Sequence, residues 1–243
     1  MQEFFVPFRG SSKGRSYHSD SPPRISFPSS PPCAPFHDFV TRTILERVSN
    51  GSLLVWGEVG EVDPPHLVMP ITVEPGKPRI YYDERFLNLW IRDCPFKLDG
   101  ITDLPRYVAP GHFHTTFDDK SDYDHVRLHP SSSTFFGLRW RGWFFVYATH
   151  PFGWKASAFL YQTIGLAAIN YVRSFGVPCA LYIDDRHVGH LRLPLRPLSS
   201  SFSAFQLAEM VAYIACFTSI SLGYFIALTK SSLLPATALT FLG

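Results

Sequence analysis

An α+β fold of the split βαβ kind is what this sequence predicts, with an antiparallel, ferredoxin-like sheet carrying helices on one face. Three observations lead there. Residues 155–175, "KASAFLYQTIGLAAINYVRSF", and 204–219 read as helices. Between them "CALYIDDRHVGHL" reads as a hairpin, and a strand-like run lies before the first helix and after the second. From residue 113 onward, setting one hairpin aside, the order is β, α, β-β, α, β.

Taken from the start, residues 1–35 contain eight serines and seven prolines, a composition that predicts disorder. "HDFVTRTILERVSNG" then reads as a helix. Asp38 is its candidate cap, Phe39, Val40, Ile44, Leu45 and Val48 form its apolar stripe, and Gly51 is its stop. "PPHLVMPITVEPGKPRIYYDERFLNLW" reads as a hairpin turning at Pro75 and Gly76. "GHFHTTFDD" is a strand ending in acid, and "TFFGLRWRGWFFVYA" a hairpin turning near Gly142. After a Pro- and Ser-rich loop come the second long helix, a strand over Tyr224 to Thr229, and "ALTFLG".

Composition narrows the function. The chain has 243 residues, 46% of them hydrophobic, enough for a substantial core, and a net charge of +2 that permits an anionic partner without requiring one. Four cysteines with no C-x-x-C pair argue against a zinc finger or a disulfide framework and fit an intracellular, non-secreted setting, nuclear or cytoplasmic. Residues 210–228 carry no charge, but Thr218, Ser219, Ser221 and Gly223 interrupt them, so a helix followed by a strand is preferred to a membrane span.

Asp184 and Asp185 sit at the tip of an otherwise apolar hairpin. A turn is the simplest account of two such residues alone. In a split βαβ sheet, however, the first strand and the central hairpin are neighbours, which brings Asp118 beside them. Two unit charges about 4 Å apart repel by about 4 kcal/mol at an effective dielectric of 20. A hard divalent cation, Mg²⁺ with Mn²⁺ as a substitute, is the natural counter-ion for oxygen-only ligands. Two such ions, roughly 3.5–4 Å apart, suit in-line phosphoryl transfer.

Several stretches, in order, resemble a reverse transcriptase. "YIDD" is similar to the family's Tyr-x-Asp-Asp hairpin, and "FDDKSDYDHV" to its first catalytic motif, with Tyr123 five residues after Asp118. "HPFGWKASAFLYQ" resembles the motif opening the palm helix, "KPRIYYDERFLN" the fingers segment, and "LGYFIALTKS" with "LTFLG" the lysine-bearing strand and primer grip. The combination looks most like retroelements of the DIRS type, related to gypsy-like and retroviral enzymes. A nucleotide cyclase is disfavoured because its Gly-Gly-(Asp/Glu)-Glu-Phe loop is missing.

The resemblance implies a polymerase palm plus a fingers subdomain, with fingers at about 36–110 and 130–152 and palm at about 111–129 and 153–243. It implies an RNA-directed DNA polymerase of a retrotransposon that joins deoxynucleotides to a primer 3′-hydroxyl on an RNA template, with no membrane partner. Asp118, Asp184 and Asp185 would be catalytic and bind metal, and Asp119 would add mainly its backbone carbonyl. Lys77, Arg79, Tyr123, Phe152, Gly153 and Lys230 would contact the nucleotide. Tyr123 would exclude a ribose 2′-hydroxyl, and Lys230 would protonate pyrophosphate. Arg85, Asn88, Trp154, Lys155, Gln162, Tyr182, Leu242 and Gly243 would serve template or primer. Asp122, where relatives have a small residue, would repel the triphosphate. No thumb, RNase H or recombinase motif follows, which suggests a truncated or decayed copy. The alternative is a catalytically inactive, nucleic-acid-binding remnant of the same fold.

Overall fold

The computed structural model describes residues 3–8, 11–12, 15–16, 21–76, 78–120, 122–189 and 202–241. In chain order its main elements are β1 (Ile25–Ser26), α1 (His37–Ser49), β2 (Leu53–Glu58), β3 (Leu67–Val68), β4 (Ile71–Val73), β5 (Ile80–Tyr82), α2 (Arg85–Trp90) and β6 (His114–Asp118). There follow β7 (Gly137–Trp140), β8 (Trp143–Tyr147), α3 (Lys155–Ser174), β9 (Cys179–Tyr182), β10 (Asp185–Val188), α4 (Ala204–Ser221) and β11 (Ser232–Ala236).

The chain forms two compact units, one of residues 1–94 and 126–158, the other of residues 95–125 and 159–243. These limits differ from the sequence-based ones chiefly at residues 95–110. That segment is tied into the second unit by Asp99, whose carboxylate accepts from the Leu181 N–H at 3.1 Å and from Arg173 at 2.5 Å.

The first unit is built on a five-stranded sheet in the order β1-β3-β7-β8-β2. Strands β7 and β8 turn through Arg141 and Gly142, with φ of 48° and 80°, the consecutive left-handed pair that a tight hairpin demands. Leu53, Leu67, Ile71, Leu87, Ile91 and Phe136 are fully buried in this unit. Each such side chain contributes about 1.5–3 kcal/mol of transfer free energy. Helix α1 turns Val40 and Ile44 inward and leaves Leu45 exposed. Its cap position is Phe36 rather than Asp38, which instead sits in the first turn, where its charge meets the positive end of the helix dipole.

Within residues 21–35 the chain lies against the sheet of the first unit. Strand β1 runs parallel to β3, its Ile25 N–H donating to the His66 carbonyl and the Phe27 N–H to that of Val68. Cys33 is buried, its thiol donating to the Ile71 carbonyl at 3.1 Å. Prolines are tolerated here because β1 is an edge strand and needs donors on one side only.

In the second unit the sheet order is β9-β10-β6-β11, with every neighbouring pair antiparallel. This is the split βαβ order expected. Phe117 of β6, Cys179 and Leu181 of β9 and Val188 of β10 meet Ile169 and Val172 of α3 and Val211 and Ala215 of α4 in one core. The expected strand over Tyr224 to Thr229 does not form. Gly223, at φ +92°, ends the connection from α4, and the segment then bonds to the end of β6 through single bridges before β11 supplies the edge strand. Helix α4 is long and apolar enough, by length and composition alone, to cross a membrane; Ala208, Val211, Ala212, Ala215, Thr218 and Ser219 are buried, while Tyr213, Phe217 and Ile220 are exposed.

Candidate active site

The β9–β10 hairpin closes through Ile183 and Asp184, leaving Tyr182 and Asp185 as the last cross-strand pair. Ile183 has φ of 56°, which is unusual for a β-branched residue and marks a strained turn. Gln162 of α3 holds it in place: its carbonyl accepts from the Ile183 N–H at 2.8 Å and its amide donates to the Leu181 carbonyl at 3.1 Å. Gln162 is fully buried and positions the turn. Tyr182 is half-buried beside it.

Asp185 lies directly opposite Asp118 in the β10–β6 register, and the Asp119 N–H donates to the Asp184 carbonyl at 3.1 Å. Cross-strand partners have Cα atoms about 4.5–5.5 Å apart. The two acids that are distant in sequence therefore share one end of one sheet. Burial raises the Asp184 carboxyl above its ordinary pKa, with the Asp118 charge adding to the effect. Burial also raises Asp185, helped by Asp184 and Asp118 and opposed by Lys230. Lys230 pairs with one Asp118 oxygen at 3.2 Å, while the other, Oδ1, is buried without a hydrogen-bond partner.

No three His, Cys, Asp or Glu side chains among the described residues already converge as a metal cage. The donor set nevertheless fits a hard divalent cation: all oxygen, mutually repelling, with one oxygen unsatisfied. A cleft of about 700 Å³ opens beside it, lined by Thr116, Asp118, Asp185, Lys230, Ser232 and residues 238–241.

The role expected of Asp119 falls to its backbone carbonyl, and its side chain is engaged elsewhere. Its carboxylate accepts from Arg186 Nε at 3.0 Å and Nη2 at 2.7 Å and from the Tyr161 hydroxyl at 2.6 Å, with both charged side chains fully buried. Nothing in the local sequence announced this pair beyond strand parity, which puts Arg186 on the same face as Val188. Tyr123 is half-buried, edge-on to Tyr161 at 5.6 Å, within the 3-10 turn Asp122–His125. The Asp122 side chain lies outside the described residues, as do Lys77, Leu242 and Gly243.

In the first unit, Arg79 is exposed next to the β4–β5 turn. Arg85 is occupied by Asp83 at 2.6 Å. Asn88 spends its amide on the loop of residues 152–155, donating to the Gly153 carbonyl at 2.8 Å and accepting from the Lys155 N–H at 2.9 Å. It therefore braces that loop. Gly153 has φ +107°, and a Cβ there would lie 2.7 Å from the Tyr82 carbonyl oxygen, so only glycine fits. Trp154 is buried against Phe136 and His150. Lys155 pairs with Asp93 at 2.9 Å. Phe152 is left 59% exposed at the loop's tip.

No protein-family model and no curated protein matches the sequence. Among solved structures, the foamy viral protease-reverse transcriptase dRH in complex with double-stranded DNA is similar over 100% of this chain at 18% identity, with a TM-score of 0.69. The foamy viral protease-reverse transcriptase in complex with an RNA/DNA hybrid matches 92% of the chain at 17% identity, with a TM-score of 0.68. The chain spans 38% and 28% of the length of those two proteins. Its fold is that of a reverse transcriptase, α+β and of the palm and fingers type.

Proposed function

We propose that this chain is the fingers and palm module of an RNA-directed DNA polymerase from a retrotransposon of the DIRS type, acting inside the cell. The single observation that carries the reading is the cross-strand pairing of Asp118 with Asp185, next to Asp184, at the mouth of a cleft. The foamy viral neighbours bound to double-stranded DNA and to an RNA/DNA hybrid support a primer–template partner.

Asp118, Asp184 and Asp185 would hold Mg²⁺. When bound, it would supply Lewis-acid chemistry, favouring an ionised primer hydroxyl and a charged leaving group. The chain's own residues do the rest. Lys230, held at Asp118 by its ion pair, is placed to give a proton to the leaving group. Tyr123 narrows the sugar side of the site against a 2′-hydroxyl. In the first unit, Arg79 and Lys77 have the charge to bind a triphosphate through charge-assisted hydrogen bonds, and Asn88 braces the loop that carries Phe152.

Primer extension on poly(rA)·oligo(dT) with Mg²⁺ tests this. The full chain should incorporate dTTP, and Asp185→Asn should lower the rate by more than about 100-fold, since changes one shell further out already cost about 10–100-fold. Parent and Asp185→Asn behaving alike, with the primer–template still bound, would make the chain a nucleic-acid-binding remnant.

A further inference from the structure

Successive side chains on a strand point to opposite faces. On β6, Phe117 faces the helix-side core, so Asp118 faces the open side and the next residue, Asp119, returns to the helix side. On β10, Val188 faces the same core, so Arg186 does too and Asp185 faces the open side. Each open-face acid is thus followed immediately by one member of the buried Asp119–Arg186 pair. The guanidinium meets the carboxylate through two nitrogens, at 3.0 and 2.7 Å, and lies 4.4 Å from the centre of the Tyr224 ring.

Stability alone does not call for this pair. Apolar side chains of similar size often serve a buried site as well as ions do. Arg186 also keeps one nitrogen, Nη1, buried without a partner, a cost that an apolar residue would not carry. What a planar fork on a carboxylate supplies is fixed geometry. Like charges directly opposite each other on two strands push those strands apart, and an opposite-charge pair on the reverse face of the same strand ends opposes that separation.

We propose that the Asp119–Arg186 ion pair is a positioning clamp that sets the separation of Asp118 and Asp185, and with it the affinity of these acids for a divalent cation. The inference rests on the reading of Asp118 and Asp185 as metal ligands. Neither member of the clamp touches the cation; both act through the strand they share with an acid.

Mn²⁺ binding to the full chain, followed by electron paramagnetic resonance, tests the clamp without relying on turnover. Two variants are compared with the parent: Asp119→Leu/Arg186→Met, which replaces the pair by apolar side chains, and Arg186→Lys, which keeps the charge but loses the fork. Circular dichroism melting reports whether each is folded. Both should bind Mn²⁺ about 10–100-fold more weakly than the parent, the range typical of partners behind a metal ligand. A folded double variant that binds Mn²⁺ like the parent would overturn the proposal. Should the double variant not fold, parental affinity in Arg186→Lys would overturn it equally. Asp118→Asn separates the two levels of the argument. If the parent binds no Mn²⁺ that this change removes, the metal-site reading fails and takes the clamp with it.

Discussion

Asp118 and Asp185 face each other across two antiparallel strands, and burial together with neighbouring charge makes ionisation of Asp185 unfavourable. A carboxyl raised in the fold costs stability once both states are ionised. The cost disappears below the ordinary carboxylate range, near pH 4, and is fully present above the raised pKa. Asp185→Asn should therefore stabilise the protein at pH 7 without divalent ion, by up to about 1 kcal/mol after solvent screening. Urea melts should show that gain shrinking towards pH 4. Gly153 illustrates a different constraint, since φ +107° and the Tyr82 carbonyl leave no room for a methyl group. Gly153→Ala should destabilise the chain by about 1–3 kcal/mol in the same melts.

At the scale of elements, the β9–β10 hairpin owes its geometry to α3 as much as to its own turn. Gln162→Leu would strip the Ile183 N–H and the Leu181 carbonyl of buried partners. A loss of about 1–3 kcal/mol follows, and hydrogen exchange at Ile183 should quicken beyond that at strand centres. The three hairpins were readable in the sequence because apolar runs flanked Gly, Pro or Asp turns. So was the meeting of Asp118 with Asp185, because the split βαβ order dictates which strands are neighbours. Arg186 was not readable, since an arginine between an aspartate and a histidine looks like solvent-facing polarity until its parity with Val188 is considered. The run after Gly223 looked like a strand because its composition is aromatic and apolar, but its hydrogen bonds go to the end of β6 one at a time. The pairing of residues 25–26 with β3 was not readable, because composition says nothing of an available sheet edge. Gln162, Trp154 and Asn88 sit at motif positions, and only the fold shows the burial of the first two and the hydrogen bonds by which Gln162 and Asn88 hold a turn and a loop.

For the molecule as a whole, buried titratable groups shape acid stability in opposite directions. Burial lowers His150 to about 3 and, with help from His114, lowers His187 to about 4. Each is neutral in the fold while the unfolded chain takes up a proton below about pH 6.5. Stability is therefore full above that pH and falls below it, by about 1.4 kcal/mol per pH unit for each histidine, until the folded value is reached. Glu84, Asp184 and Asp185, all raised first of all by burial, act in the other direction as pH drops. His150→Phe should remove about one proton's worth of slope between pH 6 and 4, measured as the difference from the parent in urea melts.

Crystals of the full chain soaked with Mn²⁺ and a deoxynucleoside triphosphate, with anomalous scattering recorded at the manganese edge, test the central claim most directly. Manganese should lie between Asp118 and the Asp184–Asp185 turn, at the cleft beside Lys230. Manganese bound elsewhere, with these three carboxylates free of it, would contradict the account.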